Sequence, residues 1–199
     1  LEYDDVIMKV PSQYKSKEIF KDIVNGDEFM SDIFPFTLEY DDVIMKVPSQ
    51  YKSKDKVGEV DIGCGNEFGG GDAAEGDGAD GGDEDNEKVI DVVYNANLKQ
   101  VNMSKKEFGA YVKDYFKKVV EHLEKNGKKD RIDGFKKGAT DFIKFIMKKF
   151  DDVELYTGNN GETEDGEIVG GIAISFWENE EAKGPMIYFF KDALIEEKC

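Results

Sequence analysis

Cysteine, histidine and proline are scarce in this chain of 199 residues, which has two cysteines, one histidine and four prolines. Two cysteines do not suggest a disulfide framework, so we expect a reducing compartment. A structural zinc site usually needs more cysteine and histidine ligands than the whole chain has. Because the sequence has neither a long uncharged apolar run nor a signal-peptide pattern, it predicts a cytoplasmic protein without a membrane span.

Patterns typical of catalysis are also missing. The one histidine, His122, falls on a predicted helix without the Cys, Ser or carboxylate neighbours of a known nucleophile arrangement. No glycine-rich phosphate loop ending in Gly-Lys-Ser or Gly-Lys-Thr occurs either. We therefore predict a protein that is not an enzyme and requires no cofactor. His122 is expected at the border of the buried face of its helix.

Acidic residues outnumber basic ones, with 44 Asp and Glu against 27 Lys and Arg, a net charge of −17. This balance opposes general binding to nucleic acid or to anionic membranes. The charge is unevenly distributed, because residues 104–149 have 14 basic and 7 acidic side chains, or +7, which leaves −24 for the rest. Proteins and cations are therefore the expected partners.

A duplicated segment opens the chain, since residues 1–17 recur without a change as residues 38–54. Repeat architectures stack at least about three units to bury a shared core, so two copies around an unrelated segment do not predict a solenoid. We expect residues 1–17 to lie outside the domain and residues 18–199 to form a single domain. Only the second copy has the native neighbours, so it should occupy the strand position.

Residues 58–87 combine 10 glycines and 11 acidic residues with no lysine or arginine. Such a composition buries too little apolar surface to become ordered, so we predict a mobile acidic loop. Hard cations prefer several oxygen ligands, so weak calcium binding is one interpretation of this loop. Because no EF-hand spacing is present, a solvated tether is the other interpretation. The candidate calcium ligands are Asp72, Glu75, Asp77, Asp80 and Asp83.

Hydrophobic periodicity predicts an α+β domain. A strand is expected at 88–94, followed by a helix whose capping box is Ser104 with Glu107 and whose end is Asn126-Gly127. A second helix with an apolar face from Ile132 to Phe150 completes an antiparallel hairpin over about 104–150. Strand patterns return at 153–156, 168–177 and 186–190.

Several of these segments resemble the translationally controlled tumour protein family over about residues 18–199. The matching motifs are IFKDIVNGDEFMSD at 19–32, DAAEG at 72–76, VIDVV at 89–93, KKEFGAYVKDYFKK at 105–118, LYTG at 155–158 after Phe150, and FFKDALIEEKC at 189–199. The sequence departs from the family at 71–73, where Gly-Asp-Ala replaces Asn-Ala-Ser, and at Asn159, which stands in place of Glu.

The resemblance implies a compact β-rich body, similar to a Rab exchange-factor accessory fold (β-tent), from which the helical hairpin projects. It also implies that Glu28 and its neighbour Asp27 contact a small GTPase of the Rheb type. The alternative is that they form an acidic turn that satisfies local backbone donors. Tubulin is the implied partner of the basic helix, whose lysines are otherwise a solvated face. These lysines are Lys105, Lys106, Lys113, Lys117 and Lys118.

The leading functional hypothesis is a cytoplasmic, non-enzymatic regulator of growth and survival that binds calcium, tubulin, a small GTPase and anti-apoptotic Bcl-family proteins. One alternative is a guanine-nucleotide exchange factor for a Rheb-type GTPase. Another is a cytokine-like, histamine-releasing dimer that leaves the cell by non-classical secretion. In that case Cys199 would form an intermolecular disulfide, whereas in a monomer it would be an exposed free thiol.

Overall fold

The computed structural model describes residues 18–54, 87–179 and 181–198. Strands alternate with short connections before and after two long helices, which is the predicted α+β class. The strands are β1 (Glu18–Asp22), β2 (Glu28–Ser31), β3 (Thr37–Glu39), β4 (Ile44–Pro48), β5 (Tyr51–Ser53), β6 (Lys88–Ile90), β7 (Lys99–Val101), β8 (Val153–Thr157), β9 (Ile172–Phe176), β10 (Met186–Phe190) and β11 (Leu194–Lys198). The helices are α1 (Asp91–Asn95), α2 (Lys105–Lys125) and α3 (Arg131–Lys148).

Two antiparallel sheets form the body of the described structure. The large sheet has six strands in the order β3-β4-β10-β9-β8-β7, and the small sheet has three in the order β11-β1-β2. A separate pair joins β5 to β6. The large sheet therefore runs from the second copy of the repeat, through the C-terminal hairpin β9–β10, to the strands on either side of the helices.

The large sheet is covered on both faces, which divides the core in two. In β10, Tyr188 and Phe190 pack into the core beneath α2 and α3, whereas Ile187 and Phe189 pack into the core shared with the small sheet. Successive side chains of a strand point to opposite faces, so a strand buried on both faces is apolar throughout. This explains why MIYFF at β10 reads as an uninterrupted apolar run.

Helices α2 and α3 form the predicted hairpin. The Ser104 hydroxyl accepts a hydrogen bond from the Glu107 backbone N–H, and the Glu107 carboxylate accepts one from the Ser104 N–H, so the predicted capping box is confirmed. Gly127 follows α2 with φ of +71°, a conformation that favours glycine. The apolar faces of both helices pack on the large sheet, and their polar faces point to solvent.

The second copy of the repeat provides β3, β4 and β5. Val43, Ile44 and Met45 have no solvent exposure, and β4 lies between β3 and β10 in the large sheet. This is the strand position that we predicted for residues 38–54. The first copy, residues 1–17, lies outside the described residues, so its separation from the domain stays a prediction.

The loop between β3 and β4 has an unusual backbone. Tyr40, Asp41 and Asp42 have φ values of +56°, +58° and +62°, in the left-handed region that non-glycine residues seldom adopt. Helix α3 crosses this loop at Gly138, where a Cβ atom would stand 2.4 Å from the Tyr40 carbonyl oxygen. Arg131 donates from Nη2 to the Asp42 carbonyl oxygen, 3.2 Å away. The left-handed turn is thus held in place by α3.

Two strand predictions need correction. The strand predicted at 88–94 ends at Ile90, and Asp91 begins the short helix α1, because its carboxylate accepts hydrogen bonds from the backbone N–H groups of Gln50 and Val92. The strand predicted at 168–177 spans only Ile172–Phe176. Before it, the chain makes a loop that folds back on itself, with Val169 N donating to the Gly161 carbonyl oxygen.

Candidate functional site

The turn between β1 and β2 is built around the buried carboxylate of Asp22. Its Oδ2 atom accepts from the backbone N–H groups of Val24 and Asn25, both at 3.1 Å. Its Oδ1 atom accepts from the Tyr115 hydroxyl at 2.6 Å, which ties this turn to helix α2. Burial, the Tyr111 phenol and the Asp22 carboxylate raise the pKa of Tyr115 well above its ordinary value, so its hydroxyl stays a donor.

Asp27 belongs to the same turn and is 7% exposed. Asn25 donates to it from Nδ2 at 2.9 Å, and Asn160 donates from its backbone N–H at 2.8 Å and from Nδ2 at 2.7 Å. Gly158 lies so close that a Cβ atom there would stand 2.4 Å from Asp27. The carboxylate therefore connects the turn to the loop after β8 and is occupied by donors from its own chain.

Glu28 has a different environment from its neighbour. It is the first residue of β2, which is an edge strand of the small sheet, and it pairs in register with Lys21. Its side chain is only partly buried. Of the predicted acidic pair, Asp27 thus anchors the turn internally, and Glu28 is the member that is partly exposed.

The lysines predicted on the first long helix are all exposed on α2. Lys106, Lys113 and Lys117 are spaced by seven and four residues, which places them on one side of the helix. Lys117 Nζ pairs with Asp114 Oδ1 at 2.8 Å, a short-range contact on the helix surface. These three define what we call the lysine face.

Lys118 points to another side of α2, where its Nζ donates to the Val169 carbonyl oxygen at 3.1 Å. It borders a cleft of about 620 Å³ between α2, β7 and the loop before β9. Glu107, Asp114, Glu162 and Glu167 also line this cleft. Two of these carboxylates already have partners, because Glu107 belongs to the capping box and Asp114 pairs with Lys117.

His122 lies half-buried near the end of α2, at the border of the buried face as predicted. Burial and the charges of Lys128 and Lys125 lower its pKa below the ordinary value, which favours the neutral imidazole.

The predicted calcium ligands and Cys199 fall outside the described residues, as does the predicted mobile loop apart from Glu87. Within residues 18–54, 87–179 and 181–198, no group of His, Cys, Asp and Glu has the arrangement of a metal site. None of the helices in this part of the chain has the length and apolar character needed to cross a bilayer. Calcium binding and a Cys199 disulfide stay predictions.

Sequence reasoning missed Asp22, Asn160 and the exposed pair Tyr51 and Trp177. Asn25-Gly26 is a turn signal that could have indicated the β1–β2 turn, and Gly26 indeed has φ of +74°. No local signal could identify Asn160 as a partner of Asp27, because the two residues are 133 positions apart. Tyr51 and Trp177 come together only through the fold.

Comparison with known proteins agrees with these features. A sequence model of the family described as translationally controlled tumour protein matches residues 18–195. The homologue from Branchiostoma belcheri is 33% identical over 180 residues, which cover 90% of this chain and 98% of that protein. This chain therefore belongs to the translationally controlled tumour protein family, as the motifs predicted.

Solved structures of the same family share the fold. The translationally controlled tumour-associated protein of Schizosaccharomyces pombe aligns with a TM-score of 0.66 and 27% identity, over 92% of this chain and 99% of that one. The Caenorhabditis elegans protein aligns with a TM-score of 0.60 and 31% identity, over 92% and 98% of the two chains. The predicted α+β fold with a β-rich body and a helical hairpin is confirmed.

Proposed function

We propose that this protein is a non-enzymatic regulator of growth and survival that binds an acidic protein surface, that of tubulin, through the lysine face of α2. The observation that carries the proposal is the exposure of Lys106, Lys113 and Lys117 on one side of a helix that is fixed to the body by its opposite side. A rigid row of cations complements an acidic surface and accelerates encounter with it.

Cosedimentation with microtubules tests this proposal. A variant with Lys106→Glu, Lys113→Glu and Lys117→Glu should bind about tenfold more weakly, which is what the loss of three surface charge pairs of roughly 0.5 kcal/mol each implies. Binding by the unaltered protein should also weaken as salt rises, because exposed charges are screened.

A matched control variant has the same change in net charge, but at three lysines outside the lysine face. Lys88→Glu, Lys183→Glu and Lys198→Glu alter three exposed lysines on β6, on the loop before β10 and on β11. This control should bind like the unaltered protein. Equal weakening of both variants would mean that net charge, and not the lysine face, determines binding.

Contact with a small GTPase through Glu28 is the second candidate function. It is favoured because Asp27 fixes the turn by three accepted hydrogen bonds and so presents Glu28 at the edge of the small sheet. Glu28→Lys should abolish binding to a Rheb-type GTPase, whereas Glu164→Lys, on an exposed loop, should not. Faster nucleotide release at substoichiometric protein would favour the exchange-factor alternative over simple contact.

Calcium binding, contact with anti-apoptotic Bcl-family proteins and the secreted dimer belong to the same proposal as subordinate expectations. Calcium should bind weakly and shift the NMR signals of Asp72, Glu75, Asp77, Asp80 and Asp83. The absence of any shift up to about 10 mM calcium, beyond the weakest range of calcium modules, would remove it from the functional account. Oxidised Cys199 in extracellular samples would favour the disulfide-linked dimer.

A further inference from the structure

Two exposed aromatic rings stack on each other at one end of the large sheet. Tyr51, in β5, is 45% exposed, and Trp177, just after β9, is 42% exposed. Their ring centroids are 6.2 Å apart and their planes meet at 18°. Such large apolar side chains are usually covered, so a stacked pair in solvent indicates a surface that binds something.

The two rings are held on a rigid support. The backbone N–H of Tyr51 donates to the Lys183 carbonyl oxygen at 3.3 Å, and the Ser49 hydroxyl donates to the Pro185 carbonyl oxygen at 2.5 Å. Gly184 approaches the turn between β4 and β5 so closely that a Cβ atom would stand 2.6 Å from the Ser49 carbonyl oxygen. The loop that follows Trp177 is thereby fastened to the segment that carries Tyr51.

A carboxylate on β8 lies across from the end of the strand that precedes Trp177. Glu154 of β8 pairs in register with Ser175 of β9, so its side chain is on the same face as that of Ser175, and Trp177 follows two residues further along the chain, just after β9. The Tyr156 hydroxyl donates to Glu154 Oε2 at 2.8 Å. Burial, this hydrogen bond and the nearby Tyr51 phenol raise the pKa of Tyr156, which places Tyr51 in the same group of side chains.

On the opposite face of β9, an aromatic ring has a cation above it, which Tyr51 and Trp177 lack among the described residues. There the ring of Phe176 carries the ammonium group of Lys149, with Nζ 5.2 Å from the ring centroid. Within the described ranges, neither Tyr51 nor Trp177 has a lysine or arginine over its ring, and Glu154 has no ion-pair partner. Among the described residues, these two rings and this carboxylate thus have no cation beside them.

We propose that Tyr51, Trp177 and Glu154 form a recognition site for an arginine side chain of a partner protein. A guanidinium group is planar, so it can stack on an aromatic face while its N–H groups donate to a carboxylate. The strongly negative net charge of −17 favours the approach of a basic segment. This site is separate from the lysine face, which would bind partners of the opposite charge.

The chain contains a single tryptophan, so tryptophan fluorescence reports on this site alone. The probe is blocked tri-arginine, compared with blocked tri-citrulline and tri-lysine. We expect a saturable change in Trp177 emission with tri-arginine, a weaker response to tri-lysine and none to tri-citrulline. The NMR signals of the arginine methylene protons should move upfield, as they do only when the side chain lies over an aromatic ring.

Variants separate this site from general attraction to an acidic protein. Glu154→Gln removes an exposed charge pair and Tyr51→Leu removes an exposed cation–π contact, so each should weaken tri-arginine binding about two- to fivefold. The matched controls, Glu124→Gln on α2 and Phe36→Leu between β2 and β3, alter an exposed carboxylate and an exposed aromatic ring elsewhere and should bind like the unaltered protein. Equal effects of site and control variants, an equal response to tri-lysine, or no upfield shift would each overturn the proposal.

Discussion

The β1–β2 turn and the lysine face of α2 are both rich in charge, but they use it in opposite ways. In the turn, Asp22 and Asp27 are buried and accept hydrogen bonds from backbone, amide and phenol donors. On α2, Lys106 and Lys113 extend into solvent. Because a buried carboxylate must be satisfied by its own chain, it determines stability, whereas an exposed lysine is available to a partner.

The difference shows that charge density alone does not identify a binding site. The Asp27-Glu28 pair looks uniform in sequence, but one carboxylate is used to hold the turn and the other is partly exposed. What separates them is the set of donors within reach. Measuring both stability and binding for variants of the charged residues should therefore separate those that stabilise the fold from those that are available to a partner.

The largest effect is expected for Asp22→Ala. It leaves the Tyr115 hydroxyl and the N–H groups of Val24 and Asn25 without their acceptor, so the free energy of unfolding should fall by about 3 kcal/mol. Chemical denaturation measures this loss. Asp165→Ala, on an exposed loop, is the control and should be nearly neutral. A loss below about 1 kcal/mol would contradict the structural role of the turn.

Asp27→Ala should cost less, about 2 kcal/mol, because its donors can bind water instead. Asn25 is partly buried and Asn160 is exposed, whereas Asp22 is the acceptor of the buried Tyr115 hydroxyl. Asn160→Ala removes the amide donor of the contact with Asp27, and it should lower the free energy of unfolding by less than half as much as Asp27→Ala. A double-mutant cycle between the two positions measures their coupling. Additive effects would show that the turn and the loop after β8 are energetically independent.

Ser104→Ala should have an effect on stability between those of the buried aspartates and the exposed lysines, because Ser104 is exposed but makes both hydrogen bonds of the capping box. We expect a loss of about 1 kcal/mol, the usual cost of removing an N-cap. Thr140→Ala is a useful comparison, since its hydroxyl donates to the Lys136 carbonyl oxygen within α3 and caps nothing. It should leave stability unchanged or raise it slightly. A larger loss for Thr140 than for Ser104 would refute this ranking.

The smallest effect on stability is expected for the triple Lys→Glu variant of the lysine face. Its free energy of unfolding should change by less than about 0.5 kcal/mol for the three positions together, because these side chains are solvated. Microtubule binding should nevertheless weaken. If the variant unfolds at markedly lower denaturant, the lysine face is structural and the contrast with the β1–β2 turn disappears.

Local patterns were sufficient where a structure depends on neighbouring residues. The capping box at Ser104, the glycine after α2 and strand β10 follow from spacing alone. Local patterns failed where residues distant in sequence determine the local structure. Asp91 interrupts a β-branched run because Gln50, 41 positions away, donates to it, and Asp22 meets Tyr115 across 93 positions. The Tyr51–Trp177 stack depends equally on a contact between segments far apart in sequence.

The left-handed turn at Tyr40–Asp42 has a kinetic consequence. Each non-glycine residue in this conformation costs roughly 1–2 kcal/mol, so the β3–β4 hairpin gains little from forming by itself. Its compensating contacts come from Arg131 and Gly138, about 90 positions later in the chain. Loops of that length close slowly, so the hairpin should be largely unformed in the transition state for folding and have low φ-values. The β4 strand would therefore join the large sheet only after the helical hairpin has docked.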